Sequence, residues 1–564
     1  MQVPPSPGAG THASKLLERE LPFLRVMDHS RNRPRIVRCT VSLALCAFAA
    51  LVPLADARAA LAPTPQSAGE SVVHQASLRK KPPKRTRRTA PKPRRTSRRE
   101  PAAPAWTSPN GTQALSTDLS TMITSRVRGG HFGVMVVSLT RGDTLFEQNA
   151  SEMMQPASTM KLFSTAAALD RFGPDHTFST DVLRDGPVGT DGTVQGNLYL
   201  RGDGDPSLSA RFFRDANLPM ATLAQSIVAA GVKKVAGDLV YDETVFDDKR
   251  IPDGWKTTYL GAAYAARVSA LSLNENLVWV VVSPAGKVAQ VTLEPVSTTI
   301  PLRSKVRLTG GRGGRIIARR AADGGIDVSG TIGALSGPLK YSLVVDDPAL
   351  FTAGALNAAL QNAGVTVTGK VRPGATPTAA TKVAGVASPP LAQIVSEMNR
   401  ESINIVAELL FRDASRASSP LGRGTAETGL ANLRNFVRTK VAGDPEAIRV
   451  FDGSGLSTLD YFTPRLMVQL LSYAHRGPWS SAFHGSLPVA GESELLRRRM
   501  RGTPAEGNLH AKTGTTNTVA GLGGYVTARD GEIIAFAFLY NGNDRGNAKA
   551  TMDAMGATLA NFIR

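Results

Sequence analysis

The pattern of apolar and polar residues just after residue 130 predicts a β-hairpin followed by a helix. Apolar residues alternate along 132–138, and a Thr-Arg-Gly-Asp turn follows, which is typical of a half-buried hairpin strand. Leu162, Ala166 and Leu169 then recur at helical spacing until Gly173 and a proline interrupt the pattern. The residues immediately before Leu162 therefore lie at the start of the predicted helix.

Ser158 and Lys161 fall one turn apart at this helix start, on the same face. A serine hydroxyl is a weak nucleophile and needs a neighbouring base. A lysine in a poorly solvated cleft can act as that base near neutral pH, because burial disfavours the ammonium form. Ser-x-x-Lys recurs by chance in long chains, so it indicates catalysis only together with further motifs.

Two later stretches supply those motifs. Ser402-Ile403-Asn404 lies within 398–410, whose apolar spacing predicts a helix. Lys512-Thr513-Gly514 precedes two strand-like runs, 521–527 and 533–540. Ser-x-x-Lys, Ser-x-Asn and Lys-Thr-Gly, in this order, are the triple signature of acyl-serine enzymes that recognise penicillin. The three motifs together predict an enzyme with a serine nucleophile.

The interval between Ser158 and Ser402 is longer than a two-lobed fold of this kind needs, although both serines must line one cleft. The surplus contains β-rich runs, such as 239–241 and 278–282. Inserted domains are therefore predicted. The expected division is a catalytic domain at 112–185 and 386–564, an inserted domain II at 186–270 and 342–385, and an inserted domain III at 271–341.

The beginning of the chain carries export signals. Met27 is a credible start, and it precedes a basic region, an apolar run at 39–54 and the small-x-small sequence Ala55-Asp56-Ala57. The run is short for a membrane span. Residues 1–57 are therefore predicted to be an upstream segment plus a secretory signal cleaved near Ala57, with a retained anchor as the alternative. A periplasmic location follows.

Residues 58–111 are rich in proline, alanine, hydroxyl and basic residues. Twelve Lys and Arg residues between Arg79 and Arg99 supply much of the net charge of +20. Such a segment buries too little apolar surface to offset its ordering entropy, so it is predicted to be a disordered basic tether. On an exported protein it would attract an anionic membrane or wall polymers rather than nucleic acid. A spacer without a partner is the alternative.

The remaining composition predicts neither a metal nor another cofactor. The two cysteines, Cys39 and Cys46, both lie in the predicted signal, and the eight histidines show no metal-ligand spacing. His510 is near Lys512 but is predicted to pack rather than react. The glycine-rich stretch 310–314 lacks the Gly-Lys-Ser/Thr of a phosphate loop and is predicted to be a hairpin turn.

From residue 112 to the end, the chain resembles the type-4 class C penicillin-binding proteins. Beside the three motifs, the matching stretches are Gly202–Leu208, Ser269–Asn276, Asp452–Ser457 and Leu487–Gly491. The resemblance implies an α/β (α+β) transpeptidase fold of the penicillin-binding-protein and β-lactamase type, with an antiparallel sheet flanked by helices. It also implies D-alanyl-D-alanine carboxypeptidase or endopeptidase activity on peptidoglycan stem peptides, with β-lactams as inhibitors.

The resemblance also implies roles for individual residues. Ser158 would attack the carbonyl between two D-alanines, Lys161 would take its proton, and Ser402 with Lys512 would relay a proton to the departing D-alanine. Asn404 would hold Lys161 and the substrate amide, and the backbone N–H groups of Ser158 and Thr515 would hold the oxyanion. The residues expected to bind the substrate are Lys512, Thr513 and Gly514 at its carboxylate, and Asp242 and Phe246 at its stem side chain.

Two positions depart from the family pattern. Ile403 replaces the aspartate of Ser-Asp-Asn, and Thr458 stands where an arginine suited to a substrate carboxylate is common. Threonine cannot make the bidentate contact of an arginine, so altered recognition of the stem peptide is expected. A β-lactamase and a catalytically weak wall-binding scaffold remain alternative functions, and whether the protein forms a homodimer is left open.

Overall fold

The structure, a computed structural model, describes residues 105–564. The predicted signal and nearly all of the predicted tether lie outside these residues. Within residues 105–564, no helix has both the length and the apolar character needed to span a bilayer.

The first segment of the catalytic domain carries the Ser-x-x-Lys motif. Its elements are α1 (Thr112–Arg126), β1 (His131–Ser138), β2 (Thr144–Gln148) and α2 (Lys161–Phe172). β1 and β2 pair in antiparallel fashion, as the alternating pattern predicts, and α2 ends before Gly173, which has a φ of 81°. The helix start is preceded by a 3₁₀ turn, Ala157–Met160, so Ser158 lies in a tight turn and Lys161 opens the helix.

A β-rich insertion follows. Its elements are β3 (Ser179–Arg184), β4 (Thr193–Val194), β5 (Leu198–Arg201), α3 (Leu218–Ala229), β6 (Lys234–Val235), β7 (Leu239–Asp242), β8 (Leu277–Ala285), β9 (Val288–Glu294), β10 (Leu302–Thr309), β11 (Gly314–Arg320), β12 (Ile326–Gly333), β13 (Leu339–Val344), α4 (Pro348–Asn362), β14 (Thr366–Val367), β15 (Val371–Pro373) and β16 (Thr381–Ala387). The larger sheets have the orders β15-β7-β5-β3-β16, β13-β8-β9 and β10-β12-β11. One apolar core extends through the insertion, from Val182 to Val386.

Strand pairing bears on the predicted boundaries of the insertion. β3, which a boundary at residue 185 leaves in the catalytic domain, pairs with β5 and β16 of the insertion. We therefore propose that the insertion extends from β3 to β16.

The hairpin predicted at 310–314 is wrong, because β10 and β11 both pair with β12 and not with each other. The glycine-rich loop crosses over the end of β12 instead.

The second segment of the catalytic domain completes the sheet. Its elements are α5 (Leu391–Glu401), α6 (Asn404–Ser415), α7 (Ala426–Phe436), β17 (Ile448–Arg449), β18 (Tyr461–Phe462), α8 (Pro464–Arg476), α9 (Ser480–Gly485), β19 (His510–Thr515), β20 (Val519–Thr527), β21 (Ile533–Asn541) and α10 (Arg545–Ala560). The sheet order is β19-β20-β21-β1-β2, antiparallel throughout. α1 and α10 cover one face of this sheet. α8 covers the opposite face, and residues of α2, α5 and α6 belong to the same apolar core as α8. The predicted antiparallel sheet flanked by helices is confirmed.

The last residues of the predicted tether belong to this domain. The N–H of Thr107 donates to Oγ1 of Thr558 at 3.0 Å, and the N–H of Gly111 donates to the carbonyl of Ile563 at 2.8 Å. The boundary predicted at residue 111 is therefore too late, because the chain is already hydrogen-bonded beside α10 at residue 107.

Candidate active site

The three motifs meet where the start of α2, the junction of α5 and α6, and the edge strand β19 come together. Nζ of Lys161 lies 3.0 Å from Oγ of Ser158 and 2.6 Å from Oδ1 of Asn404. Nζ of Lys512 lies 2.9 Å from Oγ of Ser402. The five residues predicted to be catalytic thus form two hydrogen-bonded groups in one site.

The turn that carries Ser158 is conformationally strained. Ala157 has a φ of 46°, in a region that residues other than glycine rarely adopt. The N–H and the hydroxyl of Thr159 both donate to the carbonyl of Pro156, at 3.4 and 2.7 Å. Strained residues of this kind persist where their surroundings fix them, commonly at functional sites. The half-buried Ser158 is held in this turn with its hydroxyl next to Lys161.

Lys161 has the properties of a general base. Its side chain is fully buried, and Nζ is within hydrogen-bonding distance of three oxygens, the third being the carbonyl of Ser454 at 2.8 Å. Burial lowers the pKa of Lys161 to about 7, against the opposing effect of the charges on Asp452 and Asp460. A substantial fraction of this amine is therefore neutral near pH 7 and able to accept the serine proton.

The middle motif breaks the helix that its apolar spacing predicts. α5 ends at Glu401, Ser402 adopts a left-handed conformation (φ 59°, ψ 45°), and α6 begins at Asn404. This break lets Ser402 meet Lys512 while Asn404 meets Lys161. Ile403 is 6% exposed and belongs to the apolar core, so the departure from Ser-Asp-Asn leaves the reacting groups assembled.

Lys512 lies on β19, the edge strand of the sheet. It is fully buried, and burial together with the charge of Lys161 holds the pKa of its ammonium well below the usual range. Thr513 is buried beside it, and Thr515 is exposed at the end of the strand. A Cβ on Gly514 would lie 2.6 Å from the carbonyl oxygen of Pro156, so glycine lets this strand approach the turn of Ser158.

A buried aspartate organises the loop facing Lys161. Asp452 accepts hydrogen bonds from the N–H groups of Ser454, Gly455 and Ser457 at 2.6 to 2.7 Å. Gly455 has a φ of 78°, and a Cβ there would lie 1.9 Å from the carbonyl oxygen of Ala157. This loop aims the Ser454 carbonyl at Lys161. Sequence analysis noted Asp452–Ser457 only as a stretch that matches the family and assigned it no role; its signal was an acid followed by two closely spaced glycines.

The insertion contributes one wall of the site. The carbonyl of Tyr264 accepts a hydrogen bond from Nδ2 of Asn404 at 2.8 Å, so the expected contact of that amide with substrate is occupied by protein here. Nε1 of Trp255 donates to Asp452 at 2.5 Å. Arg412, buried on α6, pairs with Asp247 of the insertion. Nothing in the local sequence around Tyr264 and Trp255 signals these long-range contacts.

A cavity of about 220 Å³ opens beside Ser158; Ala157 lines it, but none of the five predicted catalytic residues does. It lies between the insertion, the Asp452 loop and the turn after β19. Its lining includes Gln155, Ala157, Lys256, Tyr259, Leu456, Thr458, Thr516 and Thr518. The hydroxyl of Thr458 donates to the carbonyl of Gly254 at 3.1 Å. The cavity is therefore lined both by Thr458, which stands where an arginine is common in the family, and by a cation, Lys256.

Asp242 and Phe246 do not join this group. Asp242 is buried, and its carboxylate accepts hydrogen bonds from the N–H groups of Thr244 at 3.0 Å and Thr376 at 2.7 Å. Phe246 is 3% exposed and packs in the apolar core. Both side chains are therefore held by protein contacts in this structure. Their expected contact with the stem side chain stays a prediction.

The histidines form no metal centre in the part of the chain that the structure describes. No group of three or more His, Cys, Asp and Glu side chains within residues 105–564 is placed to hold a metal ion. His510 is half-buried, and burial lowers the pKa of its imidazole.

Comparison with known proteins gives a consistent result. The model of the D-Ala-D-Ala carboxypeptidase 3 (S13) family matches residues 115–562. A D-alanyl-D-alanine carboxypeptidase of Actinomadura sp. (strain R39) is 34% identical over 82% of this chain and 87% of its own length. The D-alanyl-D-alanine carboxypeptidase DacB of Haemophilus influenzae is 24% identical over 75% of this chain and 88% of its own length.

The fold is also found among solved structures. The crystal structure of penicillin binding protein 4 from Haemophilus influenzae matches with a TM-score of 0.64 and 23% identity, covering 79% of this chain and 98% of that one. The same protein with a bound β-lactam matches with a TM-score of 0.60 at the same identity, over 78% of this chain and 98% of that one. At this identity the match shows the fold alone. Since the family model matches residues 115–562, well over half of the sequence, the chain belongs to the D-Ala-D-Ala carboxypeptidase 3 (S13) family.

Proposed function

We propose that this protein is a serine-type D-Ala-D-Ala carboxypeptidase that cleaves peptidoglycan stem peptides through an acyl-enzyme, with Ser158 as the nucleophile. The observation that carries the proposal is the 3.0 Å contact between Oγ of Ser158 and Nζ of Lys161, a buried amine with a pKa of about 7. The family and the activity named for the Actinomadura relative support it.

In the acylation step, Lys161 takes the proton of Ser158 as Oγ attacks the carbonyl carbon between the two D-alanines. Backbone N–H groups of Ser158 and Thr515 are the proposed donors to the oxyanion, each typically contributing about 10²–10³ in turnover. Asn404 and the Ser454 carbonyl orient Lys161 through their hydrogen bonds to Nζ. The C–N bond then breaks and the terminal D-alanine leaves as an amine.

The leaving amine needs a proton, and the pair Ser402 and Lys512 is the proposed donor. Once Lys161 has become an ammonium, its charge makes Lys512 more acidic, because the two lysines already interact unfavourably. Ser402, 2.9 Å from Nζ of Lys512, then passes a proton to the departing nitrogen and recovers one from Lys512. Lys161 then gives its proton to the neutral Lys512, which restores both lysines to their starting forms. Neutral Lys161 can now accept a proton from the water that attacks the acyl-enzyme, and it returns this proton to Oγ of Ser158 as the shortened peptide is released.

Recognition of the terminal carboxylate is assigned to β19. A carboxylate beside Lys512 restores its ammonium form, since an opposite charge raises a depressed lysine pKa. Thr513 is the proposed hydroxyl donor, and Gly514 allows the peptide to lie close to the strand. No cofactor takes part in this scheme.

A penicillin would acylate Ser158 by the same attack, since it presents a reactive amide beside a carboxylate. The β-lactam complex of the Haemophilus influenzae protein is in keeping with this proposal. Cleavage of a cross-link on the carbonyl side of D-alanine would be endopeptidase activity by the same residues. Export to the periplasm with cleavage near Ala57 remains part of the proposal, and N-terminal sequencing of the protein from cells tests it.

Release of free D-alanine from a synthetic stem pentapeptide tests the function. Wild type should release it, and Ser158→Ala should lose this activity by at least a thousandfold, as is typical when a nucleophile is removed. Unchanged release by Ser158→Ala would overturn the assignment. Rapid turnover of nitrocefin in place of peptide cleavage would point to a β-lactamase, and inactivity of wild type on every peptide would point to a wall-binding scaffold.

A further inference from the structure

One face of the sheet β10-β12-β11 is strongly basic and has no role in the proposed reaction. Side chains alternate across a sheet, so the residues of the outward face follow from the strand register. These residues form three rows, each given in the order β10, β12, β11. The first row is Arg303, Asp327 and Arg319; the second is Lys305, Ser329 and Ile317; the third is Arg307, Thr331 and Arg315. The intervening residues, such as Ile316 and Val328, belong to the core of the insertion.

The cations of the second and third rows are not neutralised by neighbouring acids. Arg303 in the first row pairs with Asp323 and Asp327, at 2.6 Å each. In contrast, among residues 105–564 no carboxylate forms a salt bridge with Lys305, Arg307 or Arg315. Positive charge therefore accumulates toward the end of the sheet where β10 and β12 stop.

The loop after β12 adds an exposed aliphatic side chain, Leu335, to the charge, and Ile317 of β11 is exposed on the same sheet face. The N–H of Leu335 donates to the carbonyl of Gly311 at 2.9 Å, which joins the loop after β12 to the glycine-rich loop that carries the exposed Arg312. Leu335 is 65% exposed and Ile317 is 39% exposed. The face thus ends in a tip that combines cations with apolar groups.

We propose that this basic face (Lys305, Arg307, Arg312, Arg315, Ile317 and Leu335) docks the insertion on an anionic lipid bilayer. Cations are attracted to an anionic membrane surface within about one Debye length of it, and exposed aliphatic side chains are stabilised when they enter the interfacial region. A soluble polyanion would satisfy the cations but would gain nothing from Leu335. The site is separate from the predicted tether and goes beyond the proposed peptidase function.

A fluorescent label at the tip tests the proposal in the full-length protein. Gly337→Cys places the label beside Leu335, where an added Cβ would meet nothing within 4 Å, and Cys39 and Cys46 are replaced by serine. The label should shift to shorter wavelength with vesicles of phosphatidylcholine and phosphatidylglycerol, but not with phosphatidylcholine alone. Because the label reports its own surroundings, binding through the predicted signal or tether does not produce this shift.

The variant Lys305→Gln, Arg307→Gln, Arg315→Gln should need at least tenfold more anionic lipid for the same shift. A matched control, Arg423→Gln, Arg438→Gln, Lys440→Gln, removes three exposed cations of the catalytic domain and should behave as wild type. Leu335→Ser should reduce the shift while leaving peptide cleavage unchanged. No shift with anionic vesicles, an equal shift in the two triple variants, or an equal shift with soluble polyphosphate would overturn the proposal.

Discussion

At the scale of single residues, the account depends on the protonation state of Lys161. Burial lowers the pKa of this amine to about 7, and only the neutral form can accept the proton of Ser158. The rate of acylation should therefore fall about tenfold for each pH unit below 7 and level off above pH 8. Stopped-flow acylation by a chromogenic penicillin from pH 5.5 to 9 measures this. A flat profile over that range would contradict the assignment, and Lys161→Arg should be inactive because arginine stays protonated.

Lys256 is the residue expected to compensate for the missing arginine at Thr458, since both line the cavity beside Ser158. Lys256→Gln should raise the KM for stem peptides with a free side-chain carboxylate by about tenfold, the usual effect of losing one charged hydrogen bond. Acylation by small penicillins should be unchanged. Thr458→Arg in the Lys256→Gln background should recover the affinity. Equal effects on peptide and penicillin would mean that Lys256 acts through the fold.

The contact between Ser158 and Lys161 was predictable from the sequence, because the two residues are three positions apart. The pairs of Lys161 with Asn404 and of Lys512 with Ser402 join distant parts of the chain, and only the order of the three motifs indicated them. The substrate contacts expected of Asp242 and Phe246 rest on the family resemblance alone and stay predictions. The hydrogen bond from Asn404 to the Tyr264 carbonyl joins residues far apart in the chain, and no local pattern encodes it.

At the scale of elements, the site depends on close approach between segments that a side chain would separate. The Asp452 loop approaches the Ser158 turn at Gly455, where a Cβ would lie 1.9 Å from the carbonyl of Ala157. Gly455→Ala should therefore displace the Ser454 carbonyl and lower acylation about a hundredfold, the effect of a displacement of about 1 Å at a reacting group. Gly485→Ala, at a position with open space for a Cβ, is the control. Wild-type acylation by Gly455→Ala would contradict this role of the loop.

Helices and strands were predictable where periodicity is uninterrupted, as in β1, β20 and β21. The prediction failed at Ser402, where apolar residues continue at helical spacing across a left-handed break. It failed again at 310–314, because a glycine-rich loop is compatible with both a hairpin and a crossover. In both cases tertiary contacts determined the backbone, namely the pair with Lys512 and the central position of β12.

At the scale of the whole molecule, the junction of the insertion with the catalytic domain contains a buried acid with a stability cost. Asp205 is fully buried, its Oδ2 has no partner within residues 105–564, and burial raises its pKa to about 6. Between about pH 4 and 6, Asp205 therefore keeps its proton in the folded state but loses it in the unfolded state. Because the folded state binds more protons there, the free energy of unfolding falls as the pH rises through that window.

Asp205→Asn should consequently raise the free energy of unfolding by about 1–3 kcal/mol at pH 7.5, with the gain disappearing below about pH 4. The asparagine Oδ1 can still accept the N–H of Ser207, which donates to Asp205 at 2.8 Å. Urea denaturation at both pH values measures the change, and Asp248→Asn, at an exposed position, is the control. Destabilisation at pH 7.5 would show that the carboxylate itself supports the junction.

The central claim is that Ser158 is the nucleophile, and mass spectrometry of the protein after incubation with penicillin tests it most directly. The wild-type protein should gain the mass of one penicillin, and peptide mapping should locate the adduct on Ser158. Ser158→Ala should gain no mass, whereas Ser402→Ala should still form the adduct more slowly, since Ser402 serves the leaving group. An adduct on Ser402 or on any other residue, or an unmodified wild-type protein, would contradict the account.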